Sequence, residues 1–459
     1  MADHNFDLVI LGGGSGGYAA ALRGAQLGLN VALIERDKLG GTCLHRGCIP
    51  TKALLHSAEV ADVTREAANY GVSASFNGID MGAVNAYRNS IVDRLFKGLT
   101  GLVGSSKNIT FVAGEGRLTG PKTITVGADT YTGKNIVLAT GSYSRSLPGL
   151  EIGGRVITSE HALQLNFVPN KVIVLGGGVI GVEFASVWKS FGTDVTIVEG
   201  LPSLVPNEDA SVSKGLERAF RKRGINFKTG VRFSGVTQNE NGVVVTLEDG
   251  TVLDAELLLV AVGRGPNTAG FGYDEQGVQM DRGFVLTNDR LQTNLPGVYA
   301  AGDIVPGLQL AHRGFAQGIF IAEDIAGLNP AIIDENGIPK VTYCEPEVAS
   351  VGLSEAKAKE VYGAENVSTY EYNLGGNGKS QILGTAGFIK LVRKVNGPVV
   401  GVHMIGSRVG EQIGEAQLIV NWEAHPEDVA ALIHAHPTMN EAIGEAHLAL
   451  AGKPLHAHA

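Results

Sequence analysis

The stretch LVILGGGSGGYAAALRGAQLGLNVALIE, residues 8–35, decides the fold, because its parts return in the same order as VIVLGGGVIGVEFASVWKSFGTDVTIVE at residues 172–199. Each copy opens on a short apolar run bounded by glycine, which reads as a buried strand. A GxGxxG follows, formed by Gly12, Gly14 and Gly17 in the first copy and by Gly176, Gly178 and Gly181 in the second. A helix-length segment then reaches Gly28 or Gly192, where a helix end is expected. A second apolar strand closes each unit on an acid, Glu35 or Glu199.

That order of parts has a specific physics. The first glycine turns the chain, the second lets backbone approach a pyrophosphate, and the third lets helix pack against strand. The diphosphate sits at the helix N-terminus, where free N–H groups and the helix dipole attract anions. The closing acid can accept hydrogen bonds from ribose hydroxyls. One GxGxxG is a weak signal, but two complete βαβ units with the acid in the same place predict two dinucleotide sites. In the second, Glu199 would repel a 2′-phosphate and the following GLPSLVP holds no arginine, so NAD is expected rather than NADP.

A chain of 459 residues exceeds one ordinary core, so several domains are expected. With 44% hydrophobic and 18% charged residues it is globular, and its 64 glycines ask for many tight turns or close approaches. A formal charge of −9 gives no footprint for nucleic acid or an anionic membrane surface. No apolar run is long enough to span a membrane. The N-terminal MADHNFDLVILGGG enters a strand pattern almost at once, leaving no room for a signal or transit peptide, and a cytoplasmic location is expected.

Two of the three cysteines, Cys43 and Cys48, fall in GGTCLHRGCIPTK, residues 40–52. Residues five apart in an ideal helix have Cα atoms roughly 8.7 Å apart. A disulfide needs less than about 7 Å. The pair can therefore bridge only across an irregular turn, for which Gly47 and Pro50 are suited, with a regular helix from Pro50 onward. Its N-terminus beside Cys48 would favour thiolate. A zinc site wants four ligands, and only His45 and His56 lie nearby, so no metal is expected. A structural bridge exposed to a reducing compartment would be reducible. Redox catalysis is the reading that a cysteine pair beside a dinucleotide fold best supports.

The chain resembles the flavin-dependent pyridine nucleotide–disulfide oxidoreductases from residue 6 to about residue 450. The motifs that carry the resemblance are GGGSGG, GGTCLHRGCIPTK, LATGS at 138–142, GGGVIGVE, VGRGPN at 262–267, YAAGD at 299–303 and HPTMNE at 436–441. It is most similar to those members that oxidise dihydrolipoyl groups. The resemblance implies an α/β fold of two Rossmann-like dinucleotide-binding domains plus an α+β C-terminal dimerisation domain. The expected divisions are an FAD-binding domain at 1–146, an NAD-binding domain at 147–267, a segment completing the FAD domain at 268–337, and an interface domain at 338–459.

The resemblance also implies roles. Cys43 is the interchange thiol, and Cys48 faces the flavin as a thiolate in charge-transfer contact. Lys52 lies beside the flavin ring, paired with Glu183. His436 is the base for thiol–disulfide exchange, oriented by Glu441 and acting across a homodimer; His434 is its rival within the motif. The implied FAD contacts are Gly12, Gly14, Gly17, Glu35, Lys52, Gly116, Thr140, Gly141, Ser142, Asp303, Gln309, Leu310, Ala311 and His312. NAD would use Gly176, Gly178, Gly181, Glu199 and Gly263. Electrons would pass from dihydrolipoyl groups through the Cys43–Cys48 disulfide and FAD to NAD. Other disulfide reductases, of the glutathione- or mercuric-reductase kind, and a redox-sensing flavoprotein subunit are the alternatives. His45 and Arg46 depart from the Asn-Val more usual in the family.

With no lipoyl-like domain ahead of residue 6, substrate is expected on another protein, a lipoyl-bearing acyltransferase or carrier of a 2-oxo acid dehydrogenase complex. The C-terminal third reads as strands in PKVTYCEPEVASVGLSE and GFIKLVRKVNGPVVGVHMIG, with a tight turn near Asn396–Gly397. Two helical stretches, EQIGEAQLIVNWEA and TMNEAIGEAHLALAG, follow, and the terminal HAHA at 456–459 reads as a frayed end. Cys344 is expected to be a buried small hydrophobe.

Overall fold

A computed structural model describes residues 2–456. The two repeats open as β1 (Asp3–Leu11), α1 (Ser15–Gln26) and β2 (Val31–Glu35), and as Lys171–Leu175, Val179–Phe191 and Asp194–Glu199. In both, the C-terminal part of the first strand, Leu8–Leu11 and Val172–Leu175, is buried on both faces, as a parallel strand sandwiched between helical layers must be. Around β1 and β2 lies a seven-stranded sheet ordered 109–113, β2, β1, 129–138, 123–126, 116–120, with Val298–Ala300 added parallel to 129–138. The second repeat builds a five-stranded parallel sheet ordered 226–229, 194–199, 171–175, 257–260, 156–158. An antiparallel meander of 233–238, 243–247 and 252–255 lies beside it in sequence.

The chain passes between the two sheets at Ser142–Ser144 and returns at Arg264–Pro266, and these two crossings pair antiparallel. The C-terminal third forms an antiparallel sheet ordered 340–342, 347–352, 399–406, 388–394, 367–373. Its tight turn falls where Asn396 takes φ 56°, a left-handed value that Asn tolerates better than most residues. The helices packed on this sheet are Val409–Asn421 and Glu441–Leu450, each shorter than its sequence pattern suggested. The HAHA end is not wholly loose: His456 donates its backbone N–H to Glu445 at 3.0 Å and its ring meets the same carboxylate at 2.9 Å. Residues 457–459 of that stretch lie outside the described residues. Among the described residues no helix is long and apolar enough to cross a membrane.

Candidate active site

The two dinucleotide loops are built alike to within tenths of an ångström. A Cβ on Gly17 would fall 1.8 Å from the Gly12 carbonyl oxygen, and one on Gly181 would fall 1.9 Å from that of Gly176. These third glycines are therefore fixed by packing of helix on loop. The second glycines differ: a Cβ on Gly14 or Gly178 would meet nothing within 4 Å. Open space at that position is what an approaching diphosphate needs. The closing acids grip their own loops. Glu35 accepts from Gly13 N at 2.7 Å and Asp37 N at 2.8 Å, while Glu199 accepts from Gly177 N at 2.6 Å and Leu201 N at 2.7 Å. Each carboxylate oxygen keeps a second lone pair for a ribose hydroxyl.

Both loops open on one cleft of about 1430 Å³, larger than the roughly 300–1,000 Å³ of an ordinary small-molecule pocket. Of the sequence-derived residues it gathers Gly12, Gly14, Glu35, Cys43, Cys48, Lys52, Gly116, Thr140, Gly141 and Ser142 in the half that holds the first loop. Gly176, Gly178, Glu183, Glu199 and Gly263 line the other half, and Asp303, Gln309, Leu310, Ala311 and His312 close it. Ser142 donates to Asp303 at 2.5 Å and receives Arg264 Nε at 2.7 Å. His312 donates to the Pro339 carbonyl at 2.8 Å. Gly17 and Gly181 stand behind the loops, and His436 and Glu441 lie away from the cleft.

Arg232 also lines the cleft, and sequence reasoning passed it over. The GLPSLVP after Glu199 holds no arginine, yet strand 226–229 returns the chain so that Arg232 Cγ would lie 3.5 Å from a Cβ on Gly200. A sheet neighbour is not visible in local spacing.

The redox segment is two helices joined at a glycine. Gly41–Arg46 carries Cys43, and Cys48 is the first residue of Cys48–Glu66. Between them Gly47 takes φ −140°, ψ −111°, which breaks the helical path. The long helix thus begins at Cys48 and not at Pro50, which sits in its first turn, where a missing N–H costs no intrahelical bond. Both cysteines are free thiols in this structure. A hydrogen bond from Cys43 brings the Cys48 thiol down to about 7, aided by Lys52 and opposed by burial and Glu183. The same bond to Cys48 raises Cys43, burial adds to it, and Lys52 works against it. The pair is therefore asymmetric, one thiolate near neutrality beside one thiol.

Lys52 Nζ lies 3.0 and 2.9 Å from the two Glu183 oxygens and 4.7 Å from the centre of the Tyr343 ring. Burial pulls its pKa down, but Glu183, Cys48 and Tyr343 outweigh it and the net shift is upward. Tyr343 N donates to Glu183 at 2.9 Å, so the C-terminal third holds the acid that holds the lysine. Cys344, next along, is 1% exposed and donates to the Pro346 carbonyl at 3.2 Å.

In the C-terminal motif His436 Nδ1 lies 2.7 Å from Glu441 Oε1, and its side chain is 76% exposed. Glu441 sits below the usual carboxylate range although burial opposes this, because Thr438 N and His436 bond to it. His434 is only 14% exposed and is bonded to Glu415 at 2.7 Å. Its ring is enclosed against helix Glu441–Leu450, where a Cβ on Gly444 would fall 2.5 Å from its Nδ1. Of the two histidines, only His436 has a free face.

A thiol pair set between two dinucleotide loops, with a paired cation alongside, defines a protein that moves electrons between sulfur and a pyridine nucleotide. Comparison with known proteins agrees. The pattern of the family described as pyridine nucleotide-disulphide oxidoreductase matches residues 6–318, and that of its dimerisation domain matches residues 338–447. The chain belongs to this family. It is 42% identical to a dihydrolipoyl dehydrogenase of Bacillus subtilis, across 98% of this chain and 99% of the relative. It is 40% identical to a mitochondrial dihydrolipoyl dehydrogenase of Pisum sativum, across 99% and 93%. Its fold superposes on LpdA from Mycobacterium tuberculosis with a TM-score of 0.89 at 27% identity, covering 98% of this chain and all of that one. Its cofactors are FAD and NAD, and the two open glycine loops with their ribose acids fit both.

Proposed function

We propose that this oxidoreductase oxidises dihydrolipoyl groups to lipoyl groups with NAD as acceptor, its substrate carried on an acyltransferase or carrier protein of a 2-oxo acid dehydrogenase complex. The observation that carries the reading is the asymmetric Cys43–Cys48 pair between two dinucleotide loops, in a chain 42% identical over nearly its whole length to a dihydrolipoyl dehydrogenase. Overall, a dihydrolipoyl group and NAD give a lipoyl group, NADH and a proton.

In the oxidised enzyme Cys43 and Cys48 form a disulfide. One substrate thiolate bonds Cys43 Sγ, the Cys43–Cys48 bond breaks, and Cys48 leaves. A thiol held near 7 is a good leaving group, and Lys52 stabilises the charge it carries away. The second substrate thiolate attacks the substrate sulfur bound to Cys43, closing the lipoyl ring and expelling Cys43. His436 accepts the first substrate proton through Nε2, since Glu441 on Nδ1 fixes the tautomer, and accepts the second once the first has passed to the expelled Cys43 thiolate. FAD supplies the two-electron relay between the dithiol and NAD.

His436 is exposed and lies away from its own chain's cleft, so we place it opposite Cys43 of a second copy in a homodimer, as the dimerisation pattern at 338–447 favours. We also place the enzyme in the cytoplasm, because three cysteines in 459 residues do not make a secreted disulfide scaffold. The test is NAD reduction by dihydrolipoamide, run beside NADPH with glutathione disulfide. Cys43→Ser is expected to abolish turnover and His436→Gln to lower it by about 10²–10⁴-fold. Full turnover in Cys43→Ser, or activity only with glutathione disulfide, overturns the reading.

A further inference from the structure

His45 and Arg46, the two residues of the redox segment that depart from the family's commoner pair, play different parts. His45 donates to the Leu39 carbonyl at 2.8 Å and meets the Phe96 ring edge-on at 5.0 Å, so it packs the short helix onto its neighbours. Arg46 instead lines the cleft. Its Nη2 lies 3.1 Å from Asp37 Oδ2, two residues past Glu35 at the adenosine-ribose end. At the opposite end Arg264 bonds Ser142, which bonds Asp303. Arg264 titrates below its usual range, first through burial, with the charge of Arg46 also contributing against the pull of Asp303 and Glu160. Arg46 is thus fixed on the cleft wall beside the Glu35 end.

The helix that carries Arg46 begins at the diphosphate loop. A Cβ on Gly41 would fall 2.8 Å from Gly14 Cα, beside the open position where a diphosphate has room. A dinucleotide stretched from Glu35 to Asp303 sets its diphosphate between those ends. A guanidinium is the side chain best matched to phosphate, through its planar fork of donors. Arg36, the cation nearest Glu35 in sequence, is engaged with Glu115 at 3.1 Å. The Arg46 side chain is 44% exposed and keeps donors that Asp37 does not use.

We propose that Arg46 binds the diphosphate of FAD, and that Asp37 acts as a positioning residue that holds the guanidinium toward it. The proposal rests on FAD occupying the first dinucleotide site. Removing Arg46 loses an attraction and also leaves the Asp37 carboxylate unneutralised beside an anion.

The experiment is FAD release from the purified holoenzyme, followed by the rise in flavin fluorescence, across a range of ionic strength. Arg46→Met is expected to speed release by about tenfold or more and to flatten its salt dependence, because an ion pair screened by salt has gone. Arg46→Lys should fall between, and adding Asp37→Asn to Arg46→Met should recover part of the loss. Release within about twofold of wild type in Arg46→Met, with unchanged salt dependence, overturns the proposal. So does the full effect appearing in Lys38→Met, another cation at that rim, and not in Arg46→Met. A wild-type protein that purifies without flavin would instead overturn the FAD assignment.

Discussion

Gly14 and Gly17 stand three positions apart, and the same methyl group added at each has opposite consequences. At Gly17 it would enter the Gly12 carbonyl at 1.8 Å, so helix and loop must part. Gly17→Ala is expected to cost about 1–3 kcal/mol of stability, read as a lower thermal midpoint of the apoprotein. At Gly14 nothing lies within 4 Å, so Gly14→Ala should leave that midpoint unchanged while weakening FAD binding in a fluorescence titration. Equal loss of stability in both variants would refute the division of labour. Both glycines were legible in sequence as a motif; which one faces ligand and which faces protein follows from contacts across the loop.

At the scale of elements, helix Glu441–Leu450 gathers His434, His436 and His447 about it. It bears Glu441 against His436, encloses His434, and buries His447 at 0% exposure with Nδ1 on the Ile443 carbonyl at 2.7 Å and Nε2 without a partner among the described residues. Burial pushes His447 down to about 4, against that bond and the charge of Glu415. Its folded pKa is therefore below the unfolded value of 6.5, so its contribution is present above pH 6.5 and drains away as pH falls toward 4. His434 has the opposite sign: the Glu415 bond raises it, so its contribution holds below 6.5 and fades as pH rises through the raised value. His447→Asn is expected to keep more of its thermal midpoint than wild type between pH 6.5 and 4, measured by calorimetry. A parallel fall in both proteins would count against it. None of this was legible in HAHPTMNEAIGEAHLALAG, where spacing shows a helix but not which histidine its packing encloses.

For the whole molecule, the duplicated βαβ units and the strands of the C-terminal third could be read from the chain because they rest on local periodicity and glycine placement. Arg232 and the Tyr343 N–H on Glu183 could not, because sheet order and a third domain bring them in from far along the sequence. That His436 acts across a homodimer was implied by the resemblance alone, not by the spacing of residues in one chain. If each site takes His436 from the other copy, Cys43→Ser and His436→Gln homodimers should both be inactive, while unfolding and refolding them together restores turnover. No recovery in dimers shown by mass spectrometry to be mixed would place the base within a single chain.

The acids that close the two repeats have a further consequence. Because Glu35 and Glu199 already bind the loop N–H groups of Gly13 and Gly177, each loop is held in its cofactor-ready shape by the protein itself. The entropy of ordering those glycines is spent during folding, so a dinucleotide meets a rigid template and need not immobilise it. Association should then proceed as a one-step docking, with a rate set by encounter and not by slow rearrangement of the loops.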